Sequence, residues 1–548
     1  MNKLVKFISI VLLSLIILGI VFIIFTQTPV FKTWLKNKAV TWAQSYLNGQ
    51  IELKALKGNL FTYFQLEDFS IQLGEEPIIK VKRAFVHYRP FALFLKKLSF
   101  REIILEAPEL KMIQQDDQIW NLAKLLKSTG TAPKADRQNL SKFNWKIELP
   151  KIHIYSAAAE LKRAKIAQWD LPKRIKNLAV NLGLWYSAGK ARLSLEQLSF
   201  DTEEPDFKVQ TIHCNVKFTS DSLEAKDFEI ETESSKFTSN LGVKNFKNPI
   251  LHFSIKGHPI SLAEIRKAVP VLKLYGNPRL DLEVQGPLND LDVECNLWLG
   301  SGKIKVSGNL QVKELPYRYD LTGIVSNFNL AEITNESKLA SNLNFDFSVQ
   351  GKNITWREID AQIACKFDSS KAMGKSFGKS KLDLEVRGDS LNFRIEALVE
   401  EACADFSGMF ISANRTPVYE VKGKIQDLNL GAFLKSNRVT SDFDLDFALN
   451  GLGWNNGTMS GNLTLQCLPS YINQIPIDSA YFDFQLENQK LNLKAFTISS
   501  PLGKILAEGE VSIEKGNDLA LDANFVDFSV LSEALPIDSL WGRGNFSG

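Results

Sequence analysis

Histidine and cysteine, on which most metal and nucleophile chemistry depends, are scarce here: five of each in 548 residues. His87, His153, His213, His252 and His258 are scattered, and only His252 and His258, with Glu264 beyond, approach a ligand cluster. No HExxH or comparable ligand spacing accompanies them. Cys214, Cys295, Cys365, Cys403 and Cys467 form no CxxC pair, and an odd count argues against a complete disulfide framework. Four of the five share strand parity with apolar neighbours, as in Ile212/Cys214/Val216 and Ile363/Cys365/Phe367, so they read as small buried hydrophobes. Gly451-LGWNNG and Gly542-RGNFSG resemble glycine-rich loops but match neither GxGxxG nor a P-loop, and both fall where hairpin turns are expected. The carboxylate pair Asp116-Asp117 sits in a turn, where acids are usually solvated. No catalytic, cofactor or metal site emerges, and the chain does not read as an enzyme. Charge of one sign is also missing: 65 Lys and Arg against 62 Asp and Glu leave +3, which excludes nucleic-acid binding driven by bulk charge.

Apolar residues are plentiful. They make up 45% of the chain, and Phe, at 36, outnumbers Tyr and Trp together. Residues 1–6 are a short tail with Lys3 and Lys6. Residues 7–25 follow without a charge, and Phe7, Ile10, Leu13, Ile17, Val21 and Phe25 typify them. As a helix this run spans about 28 Å, close to a bilayer's hydrocarbon thickness. It ends in Thr26-Gln-Thr-Pro29 with no A-x-A site, so the expectation is an uncleaved anchor with the body outside the cytoplasm. Residues 26–49 predict an amphipathic helix beside the membrane, with Phe31, Trp34, Leu35, Lys38, Trp42 and Tyr46 recurring at three- and four-residue spacing. Packing of that helix on the first strands is compatible with the same pattern.

Short strands dominate from Ile51. Residues 50–127 form an opening β module that ends in a short helix from Trp120. A polar loop spans residues 128–141, with Pro133 and no apolar period. The Lys- and Arg-rich stretch at 142–176 is either a site for anionic head groups or simply a solvated face. Residues 142–548 read as a repetitive all-β region with turn signals every ten to twelve residues.

Within that region lies a repeat. Tyr319-DLTGIVSNFNLAEI, Tyr419-EVKGKIQDLNLGAF and Leu519-ALDANFVDFSVLSE start one hundred residues apart. SNLNFDFSVQG follows the first at Ser341, and SDFDLDFALNG the second at Ser441. A weaker copy begins at Leu251. The repeats therefore lie near 251–318, 319–418, 419–518 and 519–548, a pattern that signals an array rather than a closed globule. Each copy carries one short helix, with Ser261, Asn329, Asn429 and Ser529 as N-caps. Gly308, Gly408 and Gly509 also align and suggest hairpins or bulges.

Strand alternation in the array is clean. Leu343, Phe345, Phe347 and Val349 face one side against Asn342, Asn344, Asp346 and Ser348. Phe443, Leu445, Phe447 and Leu449 repeat this. So do Leu280, Leu282 and Val284, then Leu382, Leu384 and Val386, and finally Phe482, Phe484 and Leu486. Period-2 alternation gives each strand one apolar and one wet face. A long apolar face must be hidden, either against a second sheet or by curling into a trough filled by side chains or ligand. The monotony of this face favours the trough. The fold class expected is therefore mainly β: an elongated, curled repetitive β-sheet groove with short capping helices and one N-terminal transmembrane helix. About thirty-five to forty strands would make a sheet on the order of 170–190 Å long, and an apolar trough of that kind suits acyl chains.

The opening module reads Leu56-KGNLFTYFQLEDFSIQL, then Pro90-FALFLKKLSFREIILEAPELKMIQQDDQIWNLAKLL. With the N-terminal anchor before it, this resembles the AsmA-like proteins, in particular the TamB branch, over residues 1 to about 127. Gln118 departs from the family's usual glycine after Asp. The chain also ends in mid-repeat at Gly548, which suggests a fragment. The resemblance implies an inner-membrane-anchored protein, its body in the periplasm of a double-membrane bacterium, carrying phospholipid toward the outer membrane along a β-groove. It also implies an outer-membrane barrel partner of the BamA/TamA kind, reached through a C-terminal region beyond Gly548. Two alternatives stand beside it. One is an assembly factor handing β-strands of outer-membrane proteins or autotransporters to such a barrel; the other is a passive adhesive β-array.

Overall fold

A computed structural model describes all residues except 1, 60, 75, 115–119, 126–144, 163–171, 356, 413–415, 435–439, 454–458, 474, 488–489, 513–517, 527–543 and 548. The polar loop at 128–141, the Asp116-Asp117 pair, Gln118, the helix capped by Ser529, residues 454–457 of the first glycine-rich loop and 542, 543 and 548 of the second lie outside the described residues. The chain is mainly β and divides into two compact units, Met1–Pro287 and Leu288–Gly548.

The first unit opens with helices α1 (Asn2–Gln27) and α2 (Pro29–Tyr46). Thr28 separates them. Its Oγ1 accepts the Phe31 N–H at 3.3 Å, and Pro29 at the first helical position needs no N–H partner. Val40, Ala43 and Leu47 pack against a small core of Ile51, Ile71, Ile78 and Leu125. Trp34 and Trp42 lie away from this contact and are exposed, so α2 packs on the strands through a different face from its tryptophans. Within the helix expected from Trp120 the structure has a 3-10 turn, Ala123–Leu125, and residues 126–127 lie outside the described residues.

Twelve strands follow: β1 (Gln50–Asn59), β2 (Tyr63–Leu73), β3 (Glu76–Tyr88), β4 (Lys97–Ile113), β5 (Lys146–Lys162), β6 (Arg174–Ser187), β7 (Lys190–Glu203), β8 (Phe207–Phe218), β9 (Ser222–Thr232), β10 (Lys236–Lys244), β11 (Ile250–Gly257) and β12 (Arg279–Pro287). Each pairs antiparallel with the next, except that β4 and β5 run parallel. A parallel step cannot be closed by a hairpin and needs a long crossover, which explains why this is where the strand rhythm of the sequence lapses. At the end of the basic stretch Lys173 pairs with Glu204, and Lys176 and Arg174 with Glu203; residues 142–144 and 163–171 lie outside the described residues.

Helix α3 (Leu262–Ala268) joins β11 to β12 with Ser261 as its N-cap. Glu264 completes only half a capping box. Its N–H donates to Ser261 Oγ, but its buried carboxylate accepts the hydroxyls of Thr232 and Ser235, each at 2.7 Å. Glu264 thereby ties α3 to the turn between β9 and β10.

The second unit contains β13 (Leu291–Leu299) and β14 (Gly302–Gln311), then two copies of one pattern. The first copy is β15 (Arg318–Phe328), α4 (Leu330–Thr334), β16 (Ser341–Lys352), β17 (Asp360–Phe367), β18 (Ser370–Ala372), β19 (Lys375–Phe377), β20 (Ser380–Arg387), β21 (Ser390–Val399) and β22 (Ala402–Ile411). The second is β23 (Val418–Leu428), α5 (Leu430–Leu434), β24 (Ser441–Leu452), β25 (Ser460–Cys467), β26 (Ser470–Ile472), β27 (Ile475–Ile477), β28 (Ser479–Glu487), β29 (Lys490–Ser500) and β30 (Gly503–Ser512). Strands β31 (Asp518–Phe525) and β32 (Gly544–Ser547) close the unit.

The repeat extends to individual hydrogen bonds. Leu330 N–H donates to Ser341 Oγ (2.8 Å), and Leu430 N–H to Ser441 Oγ (2.6 Å). Asn344 N–H donates to Ser370 Oγ (2.9 Å), and Asp444 N–H to Ser470 Oγ (3.1 Å). The expected N-caps are in place: Asn329 Oδ1 accepts Ala331 N–H and Asn429 Oδ1 accepts Ala432 N–H, both at 3.1 Å.

Bulges interrupt β15 and β23 at equivalent points. Asn327 and Asp427 take positive φ (50° and 56°), a conformation that Asn and Asp tolerate better than most residues. Each bulge absorbs one residue, so Val325 and Phe328 both pair with the apolar positions of β16 although their parity differs. The first unit has its own row of positive-φ residues at Asp68, Ala107, Ser156 and Asn177. There too the apolar positions change parity, from Phe64 and Leu66 to Phe69 and Ile71 in β2. By contrast Gly308 and Gly408 sit in uninterrupted stretches of β14 and β22, with regular pairing and no hairpin or bulge.

Candidate functional site

Register converts the alternation of single strands into rows that cross the second unit. Residues directly opposed in neighbouring strands share a face. One row runs Cys295, Val306, Gly323, Phe347, Cys365, Leu382, Ile395 and Phe406. It continues through Gly423, Phe447, Leu465, Phe482, Phe496, Ala507 and Leu521. Nowhere does it meet a charge, an amide or a hydroxyl. A second row, through Leu321, Val349, Ile363, Leu384, Phe393, Gly408, Val421, Leu449, Leu463, Phe484 and Leu493, is equally apolar. One residue beyond the second row, on the opposite face, a row reads Asp320, Gln350, Gln362, Glu385, Asn392, Met409, Glu420, Asn450, Asn462, Gln485 and Asn492, with Met409 its one apolar member.

The seventeen face residues picked from the sequence are all half-buried. Fourteen belong to the second unit. There the structure brings together Leu343, Phe345, Phe347, Val349, Leu382, Leu384, Val386, Phe443, Leu445, Phe447, Leu449, Phe482, Phe484 and Leu486 on the face just traced. Leu280, Leu282 and Val284 lie on β12 of the first unit, opposite Gly257, Ile255 and Phe253. Half-burial is informative. Among the described residues of the second unit the buried apolar side chains, such as Leu291, Val325, Ala361, Cys467 and Leu493, include no aromatic ring, so the phenylalanines of the face are not sealed in a dry core.

Two glycines of the repeat exist to admit rings. A Cβ on Gly323 would lie 2.4 Å from the Phe347 ring, and one on Gly451 would lie 2.6 Å from the Tyr419 hydroxyl. Aromatic side chains thus lie flat across glycines of the adjacent strand, which smooths the face.

In the second copy the face opens into a cleft of about 480 Å³. Leu445, Leu465, Cys467 and Phe482 form its floor, and Ile472, Ile475 and Ile477 of the β26–β27 hairpin form one wall. Ile498, Leu502, Ile505 and Phe525 form the other, and Ser500 supplies the one hydroxyl. A second apolar hollow of about 360 Å³ lies nearer the opposite strand ends, around Tyr419, Leu449, Leu463, Phe484 and Leu491. Of the floor residues, Leu445 and Phe482 are among the face residues picked from the sequence; Leu465, Cys467 and the hairpin wall are not. The signal was available: where the second copy has Ser470-YINQIPI, the first has Ser370-KAMGKSF.

Four of the five cysteines behave as apolar filling. Burial pushes the thiols of Cys214, Cys295, Cys365 and Cys467 above their ordinary value, which disfavours the reactive thiolate. Cys403 is exposed, on the wet face opposite Leu398. Asp427, Asp442 and Asp444 bring carboxylates within 4.8 Å of one another. Asp444 has a structural task there, since its Oδ1 accepts the N–H of Asp427 at the bulge (3.1 Å), as Asn344 Oδ1 does for Asn327 (2.8 Å).

The anchor residues stand on α1. Phe7, Ile10, Leu13, Ile17, Val21 and Phe25 are each at least half exposed. The segment Ser9–Gln27, with a mean hydropathy of 3.0, is long and apolar enough to cross a membrane, a test that a signal sequence also passes.

The chain matches no family model, no curated protein and no solved structure.

Proposed function

We propose that this protein is a lipid conduit, tethered by α1 and carrying the acyl chains of phospholipid along its apolar face. The cleft in the second copy carries this reading. A volume near 480 Å³ lined almost wholly by Leu, Ile and Phe falls in the range of ligand sites, and its lining offers one hydroxyl, Ser500, and no charge to orient a polar substrate. The rows that run through it extend the same surface strand by strand, so a chain bound there has apolar neighbours in both directions. The opposing wet face keeps such a sheet soluble. With the TamB-like opening module, this supports an inner-membrane anchor, a periplasmic trough and transport toward the outer membrane, with a barrel partner of the BamA/TamA kind. No nucleotide-binding motif is present in the sequence, so the driving force would come from a concentration gradient or from a partner.

Native mass spectrometry of the full chain, released gently from detergent, should show bound phospholipid; an apo mass alone would count against the conduit. The sharper test is Phe345→Asp combined with Leu445→Asp, equivalent positions one repeat apart that pair with Val325 and Ile425. Transfer of labelled phospholipid between donor and acceptor vesicles should stop, with the β-sheet circular dichroism retained. Undiminished transfer would defeat the hydrophobic-path reading. Reduced insertion of outer-membrane barrel proteins with normal lipid transfer would favour the assembly-factor alternative.

A further inference from the structure

The connection from β3 to β4 exposes apolar side chains that nothing among the described residues of the first unit covers. Residues 89–97 read Arg-Pro-Phe-Ala-Leu-Phe-Leu-Lys-Lys, and Pro90–Leu95 forms a 3-10 helix with no buried residue. Phe91 is 70% exposed, Phe94 86% and Leu95 78%. Lys96, at φ 53°, turns the chain back toward β4. Isolated exposed leucines need no explanation, but two rings and a leucine within five residues do.

Position supplies the explanation. The β1–β2 turn (Asn59–Thr62) lies at the same end of the sheet, because Asn59 opposes Tyr63 and Tyr63 opposes His87, while Tyr88 N–H donates to Thr62 O at 3.3 Å. In that turn Phe61 meets Phe22 of α1 edge-to-face at 6.3 Å. The loop therefore stands beside the stretch where α1 leaves its apolar span. Neither the turn nor the loop contains an acidic residue, whereas Arg89 and Lys96 flank the apolar tip and exposed Lys146 and Trp145 begin the neighbouring strand. Apolar side chains bracketed by cations and an aromatic, at the mouth of a span, have the chemistry of a bilayer interface.

We infer that the Arg89–Lys97 loop is a second membrane contact: Phe91, Phe94 and Leu95 insert into the leaflet that α1 exits, and the cations lie at the phosphates. This rests on reading α1 as a span. Each inserted Phe or Leu is worth roughly a tenfold to hundredfold in partitioning. The insertion holds this end of the sheet against the lipid surface instead of letting it swing on one helix.

The test uses the full chain reconstituted in phosphatidylethanolamine–phosphatidylglycerol vesicles, its five cysteines replaced by alanine, with an environment-sensitive dye on one of three introduced thiols. Ile17→Cys reports the span and Phe94→Cys the loop. Val271→Cys, 74% exposed in the connection from β11 to β12, reports the body eight strands further on. Lipids spin-labelled on the acyl chain should quench the dyes at 17 and 94 to a similar extent and leave 271 unquenched. Quenching at 17 alone overturns the loop insertion and keeps the anchor. Quenching at none of the three overturns both. Quenching at all three means that the whole body lies on the membrane, which also overturns a specific loop contact. Should the cysteine-free chain fold poorly, brominated lipids should quench more tryptophan emission in Phe94→Trp than in the native chain with its ten tryptophans, and an equal loss in the two overturns the loop insertion.

Discussion

The two copies in the second unit share a backbone and differ in what their apolar face leaves open. In the first, Phe345 and Phe367 oppose each other with ring centroids 4.8 Å apart. In the second, the same two positions are Leu445 and Cys467, and the cleft opens there. The hairpins beside them diverge in parallel: Lys371, Lys375 and Phe377 in one, Tyr471, Ile475 and Ile477 in the other. On the wet side, Asn327, Asn342 and Asn344 become Asp427, Asp442 and Asp444. Backbone hydrogen bonding thus repeats a scaffold, while side-chain volume decides where on that scaffold there is room for a ligand.

Exchanging the two copies' side chains tests this directly. The largest effect is expected from Phe345→Leu with Phe367→Cys, which removes a ring pair and should cost about 2–4 kcal/mol in chemical denaturation. If the comparison holds, the same variant gains bound lipid; a stability loss with no added lipid would show that the hairpin, not the floor, makes the cleft. The reverse exchange, Leu445→Phe with Cys467→Phe, should lower co-purified phospholipid about tenfold, equivalent to about 1.4 kcal/mol of binding, with the transition midpoint little changed. Asp444→Ala should cost about 1 kcal/mol by orphaning the Asp427 N–H at the bulge, whereas Asp444→Asn keeps the acceptor and removes like-charge repulsion, so it should be neutral or stabilising.

The smallest effect concerns pH. Burial, with a lesser contribution from Asp360, raises the Tyr319 phenol above its ordinary value of 10.0. The fold holds that proton more tightly than the unfolded chain does. Its contribution is therefore complete below pH 10 and is lost as pH rises through the raised value. Asp360→Ser, the residue found at the matching position Ser460, should lower the alkaline midpoint of Tyr319, and Tyr319→Phe should flatten stability against pH above 10.

Much of the fold is legible in the residues alone. The hundred-residue spacing, the caps at Asn329 and Asn429 and the alternation of Phe345 with Asp346 all depend on neighbours a few residues apart, and local geometry translates such patterns directly. The α2 contact face is not legible in this way, because two opposite stripes of one helix, Trp34/Trp42 and Val40/Ala43/Leu47, are both apolar; only the position of β1 chooses between them. The parity changes at Asp68, Ala107 and Asn327 are hidden for a related reason. A positive-φ residue in mid-strand leaves no apolar gap in the sequence, and what reveals it is the partner across the ladder.

Side-chain alternation is a property of the extended backbone, so the residues themselves establish an array of one-sided strands behind an apolar helix. Which residues share a row, where the bulges keep that row on one face, and that the face is filled at Phe345 and open at Leu445 emerge only in three dimensions. Those outcomes depend on hydrogen-bond register between segments tens of residues apart, and on the volumes that meet across it. No local pattern encodes either.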